Sequence, residues 1–186
     1  MRIVAKEFHH DDSNEWGTPD ELFGALNGLY GPYVIDVACT AENTRCHYSL
    51  TREKDALTRS WGGRMMRAWC NPPYGPRGSL DHWVSYARAQ VLDALSLVTL
   101  LVPHYTADGW WQHVVDPEGP MLSVAADWTT IGLRTRYTYE DLVVDVLPIR
   151  GRVRFKRLDG SKATCAAFSS CAVTFSRSGV LGAYRA

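Results

Sequence analysis

Long hydrophobic runs are missing from this 186-residue sequence: the longest, Val98-Thr99-Leu100-Leu101-Val102, is far too short to cross a bilayer. The N-terminus carries Lys6, Glu7, His9, His10, Asp11 and Asp12 where an export signal would be apolar, so a cytoplasmic protein is expected. Charge of one sign is equally absent, with 20 basic against 20 acidic residues. This excludes a protein that holds nucleic acid by bulk electrostatics, and any such contact must come from a local patch. The five cysteines, Cys39, Cys46, Cys70, Cys165 and Cys171, are odd in number and lack CxxC spacing, which predicts free thiols and no structural metal. His9-His10-Asp11-Asp12 does not change this, because adjacent residues in a polar arm seldom supply tetrahedral geometry. Repeats, low-complexity tracts and linkers are also lacking. What remains, 46% hydrophobic and 22% charged residues, is the composition of one globular domain.

The residues before Trp16 are polar and aperiodic, so positions 1–13 are expected to form a flexible arm and 14–186 a single domain. Thr18-Pro19-Asp20-Glu21 reads as a helix start, with Thr18 as N-cap, Pro19 at the first helical position and Glu21 closing a capping box. Leu22, Phe23, Leu26 and Leu29 supply its apolar face. After Gly31-Pro32, Tyr33–Ala38 is a β-branched apolar run of the kind found in buried parallel strands, with Asp36 its one charge. A second short strand is expected at Cys46–Leu50, and Arg67–Cys70 runs into Asn71. A helix over Asp81–Leu92 and a central strand over Ser96–Val102 continue the alternation typical of α/β folds. In the last third, Ile149–Arg157 and Thr164–Ser176 read as an antiparallel hairpin turning at Asp159-Gly160-Ser161. The stretch from 127 to 147 lacks a clear pattern and is the candidate recognition insertion.

Asn71-Pro72-Pro73-Tyr74 follows an apolar segment and is therefore placed at the C-terminal end of a strand, where open α/β sheets bind ligands. An exocyclic amine such as that of adenine is a poor nucleophile because its lone pair is delocalised into the ring. The Asn71 side-chain oxygen and the Pro72 carbonyl are a suitable pair of acceptors for its two hydrogens, drawing the nitrogen toward tetrahedral geometry. The prolines stiffen this arrangement. Tyr74 is either a wall against which an extruded base stacks or a packing residue.

Trp16-x-Thr18-Pro19-x-x-Leu22-Phe23, Asp36-Val37-Ala38, Asn43, Asp55-Ala56-Leu57, Trp61, the Asn-Pro-Pro-Tyr segment, Trp83 and Trp110-Trp111 together resemble the bacteriophage-type DNA N6-adenine methyltransferases, relatives of Dam-like enzymes. The resemblance covers roughly residues 14 to 176. It implies a three-layer, Rossmann-like class I S-adenosylmethionine-dependent fold, with a mixed, mostly parallel sheet and a C-terminal antiparallel hairpin. It also implies S-adenosylmethionine as cofactor, bound by Trp16, Thr18, Pro19, Asp36, Ala38, Asn43 and Asp55, and double-stranded DNA as substrate. Catalysis would fall to Asn71, Pro72, Pro73 and Tyr74, and a phage origin would mean work in the host cytoplasm and evasion of restriction. One departure is the loop Ala38-Cys39-Thr40-Ala41-Glu42-Asn43, which lacks the glycines common in methyltransferase cofactor loops.

Arg150, Arg152, Arg154 and Lys156 alternate with a period of two, a pattern that puts four cations on one strand face to neutralise phosphates or, equally, to protect a sheet edge. Trp110 and Trp111 are expected mainly as core. Two other readings share the motif: methyl transfer to RNA adenine or to a protein glutamine amide, which pose the same electronic problem, and a catalytically inactive methyltransferase-like DNA-binding protein.

Overall fold

The computed structural model describes residues 16–74, 79–115, 135–139, 141–157 and 164–181, so the arm expected over 1–13 and the turn at 159–161 lie outside the described residues. In chain order the elements are β1 (Trp16–Gly17), α1 (Asp20–Tyr30), β2 (Ile35–Cys39), β3 (Tyr48–Thr51), β4 (Arg67–Cys70), α2 (Ser79–Asp93), β5 (Leu97–Pro103), β6 (Thr135–Thr138), β7 (Leu142–Pro148), β8 (Arg154–Arg157), β9 (Thr164–Cys165) and β10 (Ser170–Arg177). Among the described residues seven strands form one mixed sheet in the order β3-β2-β4-β5-β10-β7-β6, and β1-β8-β9 form a small second sheet.

Strand β5 shows why the centre of the sheet forms. Its residues, Leu-Val-Thr-Leu-Leu-Val-Pro, are buried on both faces because β4 flanks one side and β10 the other. Alternate residues feed two separate cores. Ala68, Cys70, Val98, Leu100, Val102 and Val173 pack with Val84, Ala87 and Val91 of α2. Trp69, Leu97, Leu101 and Ala172 pack with Leu26 and Tyr30 of α1, with Phe155 of the small sheet and with Val153 just before its strand β8. The period of two along each strand therefore puts α1 and α2 on opposite faces of the main sheet. Trp69 anchors α1, with Phe23 edge-on at 5.3 Å and Tyr33 at 5.6 Å between ring centroids. Thr99 and Thr174 are cross-strand partners on that same face, and their buried hydroxyls satisfy each other at 2.9 Å.

Several expectations are corrected. Among the described residues the main sheet is half parallel, not mostly so: β3, β2, β4 and β5 run parallel, and β10, β7 and β6 are joined antiparallel. The long C-terminal hairpin is split. Thr164–Cys165 pairs with β8, the chain leaves the ladder at Ala166–Ser169, and Ser170–Arg177 inserts between β5 and β7 in the other sheet. The second half of the stretch 127–147 is not irregular. Leu142–Leu147 belongs to a buried strand whose apolar residues complete both cores, and Thr135–Thr138 pairs beside it. Positions 127–134 lie outside the described residues.

The start of α1 also differs by one residue. Pro19 occupies the N-cap with φ −58° and ψ 141°, its carbonyl takes the first helical bond from Phe23 N–H, and no side chain caps the helix. The extended ψ of Pro19 is incompatible with a first helical position, so neither the Thr18 cap nor the Glu21 capping box forms. The apolar face closes with Tyr30, buried, instead of Leu29, which is exposed.

Candidate active site

Strands β2, β4 and β5 are parallel, so their C-terminal ends share one edge of the sheet. From β2 the chain moves outward to β3, then returns past β2 to β4 and onward to β5. The order reverses between β2 and β4, and such a switch point leaves a crevice in which α/β sheets bind ligands. Asp36 pairs in register with Trp69, so Ala38, two residues on in β2, and Asn71, the first residue after β4, both lie toward the C-terminal edge of the sheet at that crevice.

On the β2 side, Asp36 is 2% exposed. Its two carboxylate oxygens accept from main-chain N–H groups, Oδ1 from Ala38 at 3.3 Å and Oδ2 from Arg45 at 3.0 Å. Burial pushes the carboxyl up to about 6, and the hydrogen bonds from Arg45 and Ala38 act against this. Asn43 does similar work, its side-chain oxygen accepting from Thr40 N–H at 2.7 Å. Asp36 and Asn43 thus shape the loop from Ala38 to Arg45 by binding its backbone. Among the described residues positive φ occurs only at Asp55, Gly62, Gly151 and Gly179, so this loop turns without any left-handed residue and demands no glycine. Its composition is therefore compatible with a formed ligand loop.

Thr18 is buried at 3% exposure, and its carbonyl accepts from the Arg45 guanidinium, which also binds the Asp20 carboxylate. The structure thereby brings Thr18, Pro19 and Asp36 together through a residue that sequence reading passed over. Arg45 is the one charge in the polar run Asn43–Cys46, a signal too weak to separate it from an ordinary loop cation. Trp16 joins the small sheet, its main chain beside Arg157; its side chain lies outside the described residues. Asp55 stands apart as an exposed residue with φ 43°, its carboxylate accepting from Leu57 N–H to cap a short 3-10 turn. That turn is held by Trp61, whose indole N–H donates to the Ala56 carbonyl at 2.7 Å and whose main-chain N–H donates to Gln90 Oε1 at 2.8 Å.

On the β4 side, Asn71 leaves the strand directly, Pro72 is buried and Pro73 half-buried. The Tyr74 hydroxyl lies 2.8 Å from Asn71 Oδ1 and 3.0 Å from the Leu101 carbonyl of β5, and its single proton serves one of these acceptors at a time. The Tyr74 ring meets Phe168 edge-on at 5.2 Å and Phe155 at 5.9 Å. Tyr74 is thus a packing residue that also reaches the Asn71 amide. Trp110 and Trp111 are buried and belong to the α2-side core.

The basic stripe is altered. Gly151, with φ +78°, turns the chain after Arg150, and β8 starts only at Arg154, so the four cations do not share one strand. All four are nevertheless exposed while Val153 and Phe155 are buried. Lys156 is ion-paired with Asp20, and Arg152 Nη1 lies 3.5 Å from the Ala166 carbonyl. All five cysteines are free thiols, and among the described residues no cluster of His, Cys, Asp and Glu is arranged to hold a metal. No described helix is long and apolar enough to cross a membrane.

Two relatives resemble parts of the chain. A DNA N-6-adenine-methyltransferase of Escherichia phage T1 is 30% identical over 114 residues, which are 61% of this chain and 46% of that protein. The "Putative methyltransferase YfdM" of Escherichia coli (strain K12) is 37% identical over 65 residues, 33% of this chain and 71% of that protein. The match thus spans less than half the length of the phage T1 relative. The model of one family, DNA N-6-adenine-methyltransferase (Dam), matches residues 6–178. With nearly the whole sequence matched, and with Asn71-Pro72-Pro73-Tyr74 at the switch point of a mixed α/β sheet, the chain belongs to the DNA N-6-adenine-methyltransferase (Dam) family.

Proposed function

We propose that this chain is an S-adenosylmethionine-dependent methyltransferase acting on the exocyclic amine of adenine in double-stranded DNA, on a three-layer, Rossmann-like class I fold. The observation that carries the reading is the position of Asn71 directly after β4, whose neighbour β2 carries Asp36 and Ala38, at the switch point where an acceptor base and a methyl donor can meet. Thr18, Pro19, Asp36, Ala38 and Asn43 would hold the donor, whose ammonium, carboxylate and adenine suit the carboxylate, amide and main-chain groups gathered there. Trp16 and Asp55 are the outer candidates, since Asp55 is exposed and is already used as a cap.

When bound, S-adenosylmethionine supplies a methyl group already activated on its sulfonium. The chain's part is acceptor geometry. An amide oxygen accepts two hydrogen bonds, so Asn71 Oδ1 can take an amino hydrogen while Tyr74 fixes the amide plane. The Pro72 carbonyl takes the second hydrogen, and the adenine nitrogen becomes more pyramidal and nucleophilic. With the donor held by Thr18, Pro19, Asp36, Ala38 and Asn43, the methyl would come from its sulfonium, which would leave as the neutral thioether, while Asn71 and the Pro72 carbonyl would hold the acceptor nitrogen until one amino proton passes to solvent. Positioning and not a strong base carries the step, consistent with the hydroxyl and amide side chains around Asn71. Arg150, Arg152 and Arg154 would meet phosphates, with Lys156 engaged more weakly because it binds Asp20.

Tritiated methyl transfer from S-adenosylmethionine to unmodified DNA, RNA and protein, followed by nucleoside analysis, tests the reading. Label in N6-methyladenine of DNA is expected. Label confined to RNA or to protein, or failure to bind the donor, would replace it with one of the other two readings.

A further inference from the structure

Arg45 joins two segments that are far apart in the chain. Its main-chain N–H donates to Asp36 Oδ2 at 3.0 Å, while its guanidinium donates to the Thr18 carbonyl and to Asp20, the first residue of α1. Its charged centre lies 6.0 Å from the centroid of the Phe23 ring. The Asp20 pair by itself contributes little, because Asp20 is 64% exposed. The bond to Thr18 is different: it places a charged donor on a main-chain carbonyl next to a residue that is itself buried. A planar fork serves these two acceptors at once, which an ammonium cannot copy. The Arg45 Nε is also buried and has no hydrogen-bond partner among the described residues.

We infer that Arg45 is a positioning residue of the methyl-donor site, clamping the Thr18-Pro19 turn against the Asp36 loop and so setting the affinity for S-adenosylmethionine. The inference rests on the proposed function, which supplies the ligand. The clamp also reaches the small sheet, because Lys156 of β8 binds the same Asp20. Around Asp36 the other titratable groups are the thiols of Cys39, Cys46 and Cys70. Burial raises all three, Cys39 and Cys46 to about 12, so they stay neutral at ordinary pH and Arg45 is the cation facing Asp36.

The test is calorimetric titration of the full chain with S-adenosylmethionine from pH 5 to 8, for the wild type, Arg45→Gln and Arg45→Lys. Arg45→Gln is expected to bind about 10- to 100-fold more weakly, the range for a lost charge-assisted bond. Its binding should also fail at a higher pH than in the wild type, since Asp36 loses the cation that favours its ionised form. Arg45→Lys should restore the pH midpoint but not the full affinity. A residue acting only on stability would lower the melting temperature and leave this midpoint in place. Wild-type affinity and midpoint in Arg45→Gln would overturn the inference. If that variant does not fold, undiminished affinity in Arg45→Lys would do so. Lack of binding by the wild type would instead remove the functional reading on which the inference stands.

Discussion

The Tyr74 hydroxyl lies 2.8 Å from the side-chain oxygen of Asn71, so the last residue of the Asn-Pro-Pro-Tyr segment holds the first. Its ring is fixed by Phe155 and Phe168, which transmits the rigidity of the small sheet and of the β9–β10 connection to the Asn71 amide. A catalytic group gains precision when its own rotamer is locked by its neighbours.

Removing that hydroxyl should therefore affect turnover more than binding. Tyr74→Phe keeps the ring packing and is expected to lower kcat about fivefold, the effect of one hydrogen bond worth about 1 kcal/mol, with KM for S-adenosylmethionine unchanged. Steady-state kinetics on DNA check this. A rise in KM at constant kcat would mean that Tyr74 serves the ligand instead of Asn71.

Asp36 gives the protein a pH dependence whose sign follows from its burial. Its carboxyl sits at about 6 in the folded chain against an ordinary 3.8, so between these values the native state holds a proton that the unfolded chain has released. Its contribution to stability is full below the lower value and is lost as pH rises through about 6, a change on the order of 3 kcal/mol. Ligand binding runs the other way, because an ionised carboxylate accepts from the Ala38 and Arg45 N–H groups more strongly than the neutral acid does. Affinity for S-adenosylmethionine is expected to fall as pH drops from 7 to 5, and Asp36→Asn to flatten both trends. Denaturant melts and calorimetry across that range are the measurements.

Arg136 and Asp145 form a cross-strand pair between β6 and β7, with two hydrogen bonds at 3.2 and 3.0 Å and Asp145 fully buried. Arg136→Met leaves a buried carboxylate without this partner and is expected to cost about 3 kcal/mol by chemical denaturation. The double variant with Asp145→Val should recover most of that loss. Additive losses in the double variant would show that the two residues are not coupled.

Removing charge at Arg152 and Arg154 should weaken DNA binding and reduce the salt slope by about 0.9 for each phosphate no longer neutralised. Lys156→Gln should do less, because its ammonium is already shared with Asp20. Equilibrium binding at several salt concentrations decides; an unchanged slope in the Arg152/Arg154 variant would mean that this face does not meet DNA.

The parts of the fold set by local pattern were legible in the sequence. Arg67–Cys70 and Leu97–Pro103 are strands because short apolar runs buried on both faces can do little else, and α2 follows its Trp83, Val84, Ala87 and Val91 spacing. What escaped was set by tertiary contact. Nothing local shows that Thr164–Cys165 and Ser170–Arg177 enter different sheets, since both read as strand and only their partners separate them. The aperiodic stretch before Leu147 hid β7 because that strand is apolar on both faces apart from Asp145, and so lacks alternation. At the site, Asn71, Thr18 and Asp36 stood out through motif and chemistry. Arg45 did not, because its role depends on a carbonyl 27 residues away.

Whether Asn71 holds the acceptor amine is decided by Asn71→Ala in the tritiated methyl-transfer assay on unmodified DNA, with S-adenosylmethionine affinity measured alongside. Label in N6-methyladenine is expected to be abolished while the donor binds almost as in the wild type. Unchanged turnover in that variant would contradict that role for Asn71.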